Sequence, residues 1–173
     1  MRSEMPEIWD LYDKNRNLTG RDHIRGEIIP DGCYHLVVHV WIKSPDGRFL
    51  VSQRAADRKS YPLMWETTGG SVIKGETSLE GALRETKEEL GIDLDQSRGR
   101  LVFSEVRDYV NGERYADILD VWLFEYDGGA KLDQATTKEV NAAALLDRDG
   151  IQKLFDEGKF VGTLDYFFNR IAD

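Results

Sequence analysis

A layered α/β fold, with helices packed against a mixed sheet, is what this sequence predicts, and three observations predict it. Strand-like segments lie on both sides of one sharply delimited amphipathic helix. Two further helical segments close the chain. Hydrophobic residues, 40% of 173, are plentiful enough for a substantial core. The simplest organisation is one domain over 1–173, with an N-terminal hairpin at 7–25, a core at 34–150 and closing helices at 149–173. No apolar run reaches membrane-spanning length, and the start Met1-Arg2-Ser3-Glu4-Met5-Pro6 lacks a signal-peptide core. The lone Cys33 rules out an internal disulfide and suits a reducing cytosol, so a cytoplasmic location is expected. The net charge is −9 and no basic block appears, which argues against a nucleic-acid polymer as partner. An anionic ligand must therefore be met by a metal or by a few placed basic side chains.

In chain order, Ile8 to Asp13 alternates like a half-buried strand, Lys14 to Asn17 is a turn, and Leu18 to Arg25 returns. Pro30 and Gly32 mark a connector. Tyr34 to Lys43 is β-branched and aromatic with apolar residues on both faces, as in a central strand. Ser44-Pro45-Asp46-Gly47 has type I turn chemistry, and Phe49 to Arg54 pairs back. A polar loop from Ala55 to Pro62 carries Arg58 and Lys59, and Met64 to Thr68 is a short strand feeding a glycine loop. Leu101–Tyr109 and Ala116–Tyr126 read as strands around an Asn111-Gly112 hairpin turn. Glu139 to Leu146 is strand-like and ambiguous. Asp149–Glu157 and Thr163–Ile171 read as helices, the second with an apolar stripe of Leu164, Phe167, Phe168 and Ile171. A homodimer becomes an expectation if that stripe or the hairpin is exposed.

The helix at the centre has caps at both ends. Thr77 with Glu80 makes a capping box, and Gly91 stands where a left-handed C′ residue ends a helix. Leu79, Ala82, Leu83, Thr86 and Leu90 form its buried stripe. Glu85, Glu88 and Glu89 share a different face, three carboxylates within about one turn, with Gly81 leaving room before them. Like charges at this spacing repel by a few tenths of a kcal/mol, and a hard divalent ion is the natural compensation. A solvated acidic face is the bland reading of such a run. The fixed distances decide against it: Gly70, five residues, Glu76, seven residues, Arg84-Glu85, two residues, Glu88-Glu89, one residue, Gly91, Ile92. That spacing resembles the signature of the Nudix hydrolases. The single departure is Thr86, where the family usually carries an aliphatic residue.

The resemblance implies a Nudix-type α/β/α sandwich around a mixed sheet, here with an N-terminal β-hairpin extension. It implies hydrolysis of the diphosphate linkage of a nucleoside diphosphate joined to another group, a small-molecule substrate, with Mg2+ or Mn2+ as cofactor. Glu85, Glu88 and Glu89, with the Gly70 carbonyl, are the implied metal ligands. Glu85, Glu88 and, far along the chain, Glu139 are the candidates for taking the proton. Arg84 is expected to pair with Glu76 and lock loop to helix. Arg54 and Lys59 are candidates for phosphate contact, with Arg58 an ordinary loop charge. Among Trp41, Trp65, Tyr109 and Tyr115, possible stacking partners for a base, Trp65 joins them as a substrate-contact candidate.

The segments Trp9-Asp10-Leu11-Tyr12-Asp13, Thr19-Gly20 and His35-Leu36, with Trp65, also resemble type I isopentenyl diphosphate isomerase. That enzyme needs a cysteine beside the glycine loop and a histidine-rich metal site. Here the cysteine position falls near Gly69-Gly70, and of the metal histidines only His35 has a counterpart. An isomerase-like enzyme and a catalytically silent binding domain are thus the alternatives. His35 and His39 lie on one side of their strand and read as structural residues more readily than as ligands.

Overall fold

A computed structural model of the protein describes residues 5–172. Met1 to Glu4, part of the stretch on which the signal-peptide expectation rests, lie outside them. The N-terminal hairpin is β1 (Ile8–Tyr12) and β2 (Leu18–Ile24), a two-stranded sheet of its own. The main sheet takes β3 (His35–Lys43), β4 (Phe49–Arg54), β5 (Trp65–Glu66), β6 (Thr68–Ser71), β7 (Gly99–Val110), β8 (Glu113–Glu125) and β9 (Val140–Leu146). Its path is β5-β4-β3-β8-β7, with β6 also pairing β3 and β9 pairing β4. β3 and β8 run parallel and the other pairs antiparallel, so the sheet is mixed.

The helices are α1 (Ser78–Leu90), α2 (Arg148–Asp156) and α3 (Phe167–Arg170). Alternation along β3 divides the core into two layers. Leu36, Val38, Val40 and Ile42 face α1 and pack with Ala82, Leu90 and Ile92. Trp41, with Val37 beside it, faces the other way, where Phe49, Ile151, Phe160 and Phe167 meet it. The α/β/α sandwich with its hairpin extension is therefore the architecture.

Three details differ from the sequence expectation. The glycine segment is strand rather than loop: Val38 pairs with Gly70 and His39 with Gly69, so close that a Cβ on Gly69 would strike the Val38 carbonyl. The expected helix from Thr163 to Ile171 is a 3-10 turn (Gly162–Leu164) followed by the single turn α3. Its apolar stripe nonetheless packs inside the molecule, with Phe168 partly exposed, whereas the hairpin leaves Ile8, Leu18 and Ile24 exposed. The ambiguous Glu139–Leu146 stretch is strand from Val140 onward.

The hairpin is tied down at several points. Trp9 stacks on His35 with ring centroids 4.2 Å apart. Tyr12 and Tyr34 exchange backbone hydrogen bonds, and Arg16 in the turn reaches Asp120 on β8. Ile8 accepts a backbone bond from Lys74, and the Asp10 carboxylate accepts one from the Gly75 N–H. The hairpin thereby braces the loop that enters α1. No helix among the described residues is long and apolar enough to cross a membrane.

Candidate active site

Local chemistry positions α1. The Thr77 side chain accepts from the Glu80 N–H at 3.2 Å, the Glu80 carboxylate accepts from the Thr77 N–H at 2.8 Å, and Gly91 closes the helix at φ 70°. Thr86 lies fully buried and its hydroxyl donates to the Ala82 carbonyl at 2.8 Å, so the polar atom on the core stripe is satisfied. Gly81 serves packing rather than ligand access. A Cβ there would press on the Val72 side chain, which lets the helix sit directly on the entering loop. On the other side, a Cβ on Gly70 would run into the Glu85 carboxylate, so glycine allows backbone and carboxylate to meet.

Arg84 is the hub of the glutamate cluster. Its Nε donates to Glu76 at 2.6 Å and one terminal nitrogen to the Ser71 carbonyl at 3.0 Å, the expected lock between loop and helix. The other terminal nitrogen reaches Glu85 and Glu88, each at 3.1 Å. Glu89 makes no contact with Arg84 and is buried, with the Thr68 hydroxyl as donor. The three carboxylates thus share one end of the helix without converging, and Glu89 is not outward-facing. Among the described residues no three His, Cys, Asp or Glu side chains are gathered to hold an ion as they stand. The reason is visible in Arg84, whose guanidinium occupies the space between Glu85 and Glu88.

Burial dominates the electrostatics of the cluster. Burial, then the neighbouring Glu88, pushes the Glu85 carboxyl up to about 7 against the pull of Arg84. Burial raises Glu89 well above the carboxylate range, and the charges of Glu85, Glu66 and Glu139 raise it further. Glu66, two residues before Thr68, is also raised by burial despite its ion pair with Arg54 at 2.8 Å.

Apart from Glu66, these groups line one cleft. Its walls include Gly69, Gly70, Arg84 and the glutamates 85, 88 and 89, together with Arg54, Arg58 and Glu139. Glu139 arrives because the Thr136 and Thr137 N–H groups both donate to the Glu88 carbonyl, docking residues 136–139 on the end of α1. Within the cleft Glu139 is held by Arg58 at 2.8 Å, so Arg58 has a definite place there and is more than a loop charge. Lys59 lies further out, in the adjoining cavity. Trp65 lies elsewhere: it packs against the second core layer, with its backbone N–H donating to the Lys159 carbonyl. Trp41, Tyr109 and Tyr115 line neither space. His39 bonds to the Tyr166 hydroxyl at 2.8 Å and His35 stacks on Trp9; neither lines the cleft.

Sequence reasoning missed Glu7 and Arg25 from the hairpin, an ion pair at 3.1 Å on the cleft wall. It also missed Glu66 and the 136–138 segment. No signal in the chain marks them, because only the tertiary fold carries them to α1.

The donor set fits a hard divalent cation. Every candidate ligand is an oxygen, burial and neighbouring carboxylates raise two of the carboxyls above their usual range, and Gly70 permits close backbone approach. Arg84 keeps Glu76 as its own partner, so it can give up Glu85 and Glu88 without being left unpaired.

Comparison with known proteins gives the family and the fold. The NUDIX domain model matches residues 34–161. An uncharacterized Nudix hydrolase of Listeria monocytogenes is 38% identical over 165 residues, 94% of this chain and 90% of that one. An isopentenyl-diphosphate Delta-isomerase of Cutibacterium acnes is 39% identical over 69 residues only, 39% of this chain and 35% of its own. Among solved structures, protein DR0079 of Deinococcus radiodurans superposes with TM-score 0.68 at 18% identity, covering 90% of this chain and 92% of that one. A bifunctional NMN adenylyltransferase/ADP ribose pyrophosphatase of Francisella tularensis, solved with AMP and a manganese ion, superposes with TM-score 0.60 at 18% identity. It covers 84% of this chain and 42% of that one.

Proposed function

The chain belongs to the Nudix hydrolase family and is a pyrophosphohydrolase, and from that premise we propose that it cleaves the diphosphate linkage of a nucleoside diphosphate joined to another group, with Mg2+ or Mn2+ as cofactor. The observation that carries the reading is the glutamate cluster at the end of α1, with more carboxylate than its one arginine can neutralise. When bound, a divalent ion supplies Lewis-acid polarisation of phosphate oxygens and a more acidic water.

The chain's own groups do the rest. Glu85, Glu88 and Glu89, with the Gly70 carbonyl, hold the ion. Arg84 and Glu76 keep that end of the helix in register with the β6 strand. Arg54, and Lys59 further out, bind phosphate oxygens of the substrate. Glu139, facing the cleft beside Arg58, accepts the proton of the attacking water once a phosphate draws Arg58 away from it; Glu85 and Glu88 are the other acceptors in reach. The hairpin, core and closing helices act as one domain in this scheme.

The isomerase alternative lacks its acid–base group here. No cysteine or histidine lines the carboxylate cleft, and Cys33 is buried near Arg21 of the hairpin. The test is a panel of nucleoside diphosphates, nucleotide sugars, dinucleotides and prenyl diphosphates, with Mg2+ or Mn2+ and with chelator. Metal-dependent phosphate-ester products from at least one nucleoside diphosphate derivative are expected. A protein that ignores divalent ions throughout, in both turnover and melting temperature, would overturn the proposal.

A further inference from the structure

The carboxylate cleft, about 190 Å³, is continuous with a larger cavity of about 850 Å³ through walls they share at Arg25, Arg54, Arg58, Thr137 and Glu139. The larger cavity is lined by five cationic side chains, the three shared arginines with Lys59 and Lys138, against only two carboxylates, Asp57 and Glu139. The remaining walls are the hydroxyl-bearing Ser60, Thr136 and Thr137. Among the described residues no aromatic or aliphatic side chain lines it.

In a chain with 32 acidic and 23 basic residues, that concentration runs against the overall charge. The far field of the protein repels an anion, so one that binds must be met by a local cluster. The cluster is also built in. Glu66, Glu139 and Glu7 hold Arg54, Arg58 and Arg25 in place, while Lys59 and Lys138 make no ion pair among the described residues. The two segments that carry the lysines are joined to each other and to the site: the Ala55 N–H donates to the Glu139 carbonyl at 2.8 Å, and Thr136 is docked on α1.

We infer that this cavity receives the group joined to the diphosphate, and that this group is a hydroxyl-rich sugar or polyol bearing at least one further phosphate. The inference rests on the hydrolase reading and narrows it. A base bound here would find no ring to stack on, and a prenyl chain would find no apolar wall. Phosphate oxygens match unpaired lysines and forked arginines, and hydroxyls match the serine and threonines.

The test separates the inference from the reading beneath it by removing the metal. Protein in chelator-containing buffer is titrated calorimetrically with fructose 1,6-bisphosphate, adenosine and geraniol. The bisphosphate alone is expected to bind, with an affinity that falls as salt is raised. The Lys59→Gln/Lys138→Gln double variant should weaken it about tenfold, and Lys59→Arg/Lys138→Arg should restore it. Melting curves confirm that each variant is folded. Binding of adenosine or geraniol in preference to the bisphosphate, or an unchanged affinity in the double glutamine variant, would refute the inference while leaving metal-dependent hydrolysis of a diphosphate untouched. Absence of that hydrolysis with every substrate would instead remove the reading, whatever the titration shows.

Discussion

Asp120 and Glu89 are both buried carboxylates on the α1 side of the sheet, and they are treated oppositely. Asp120 receives both terminal nitrogens of Arg16 and the Ser104 hydroxyl, and these partners hold its carboxyl below the usual range although burial alone would raise it. Glu89 has one hydroxyl donor and a surround of other carboxylates, and its carboxyl is raised. One group is satisfied by the fold; the other is left for something the fold does not contain. A buried carboxylate without a cation is costly, so its persistence at the end of α1 marks function, whereas Asp120 marks how the hairpin is fastened.

The largest effect should come from the unsatisfied member. Glu89→Gln keeps the shape and can still accept from Thr68, but removes the charge. We expect metal-dependent turnover to fall by at least ~1,000-fold, roughly 4 kcal/mol of activation free energy, with melting in chelator unchanged or slightly raised. The magnesium-induced rise in melting temperature should vanish as well. Turnover within tenfold of the parent would remove Glu89 from the metal set.

Asp120→Asn probes the satisfied member and should reverse the pattern. The loss falls on stability, on the order of 2–3 kcal/mol, because Arg16 keeps its charge and loses its counter-ion. Arg16 is 40% exposed, so water recovers part of that cost. Chemical denaturation is the measurement, and the magnesium-induced shift should survive. Smaller still is Arg84→Lys, where a point charge cannot span Glu76, Ser71 and the two catalytic-end glutamates at once. A fall in kcat of roughly 10–100-fold, with the fold kept, is the expected result. An unaltered kcat would show that the lock is dispensable.

The comparison also predicts opposite pH slopes. Glu85 has its carboxyl raised from 4.5 to about 7 in the folded, metal-free protein. The folded state therefore holds more protons than the unfolded one between those values. The stability this gives is full below about pH 4.5 and is lost as pH rises through about 7. Asp120, lowered from 3.8, contributes stability present above that value and lost only as acid carries the pH below it. In chelator, the melting temperature of the parent relative to that of Glu85→Gln should fall between pH 5 and pH 8 by a few degrees, a difference that cancels the opposite slope from His35 and His39, whose imidazoles burial pushes down to about 4 and about 3. Magnesium should flatten or invert that slope, since metal binding needs the deprotonated carboxylate. A parent-minus-variant difference that stays flat or climbs from pH 5 to pH 8 would contradict the assignment.

What the sequence made legible follows from how local each cause is. The capping box, the Gly91 terminus and the Arg84–Glu76 pair depend on residues within a few turns, and each appears where spacing placed it. Gly69 and Gly70 read as loop because glycine is the residue of turns. They are strand because β3 needs a partner that can come this close, which is a fact about register. The period of Leu164, Phe167 and Ile171 correctly signalled burial, yet burial does not require an unbroken helix, and i→i+3 bonds such as Leu164 to Val161 break it. Arg25 and Lys138 were illegible because the cleft and the cavity beside it are assembled from the hairpin, the loop after β4 and the loop before β9, segments that only the folded chain brings together, and Glu66 because it reaches them only through its ion pair with Arg54.

Thr86 gives the smallest effect and the sharpest control on the comparison. It is a third buried polar group, on the same helix as Glu89 and three residues before it, and it replaces the aliphatic side chain usual in the family. Its hydroxyl donates to the Ala82 carbonyl, which also accepts the backbone bond of the helix, so nothing outside the helix is required of it. Thr86→Val keeps the branching, removes the donor and leaves no orphaned acceptor. Stability should change by less than ~1 kcal/mol and kcat by less than about twofold. A back-bonded hydroxyl can bend a helix slightly, and the glutamates lie on the turn just beyond. A tenfold loss of turnover in Thr86→Val, with stability unchanged, would therefore show that this bend sets the spacing of the carboxylates, and that the line between groups satisfied for stability and groups left open for chemistry runs through α1 less cleanly than Asp120 and Glu89 suggest.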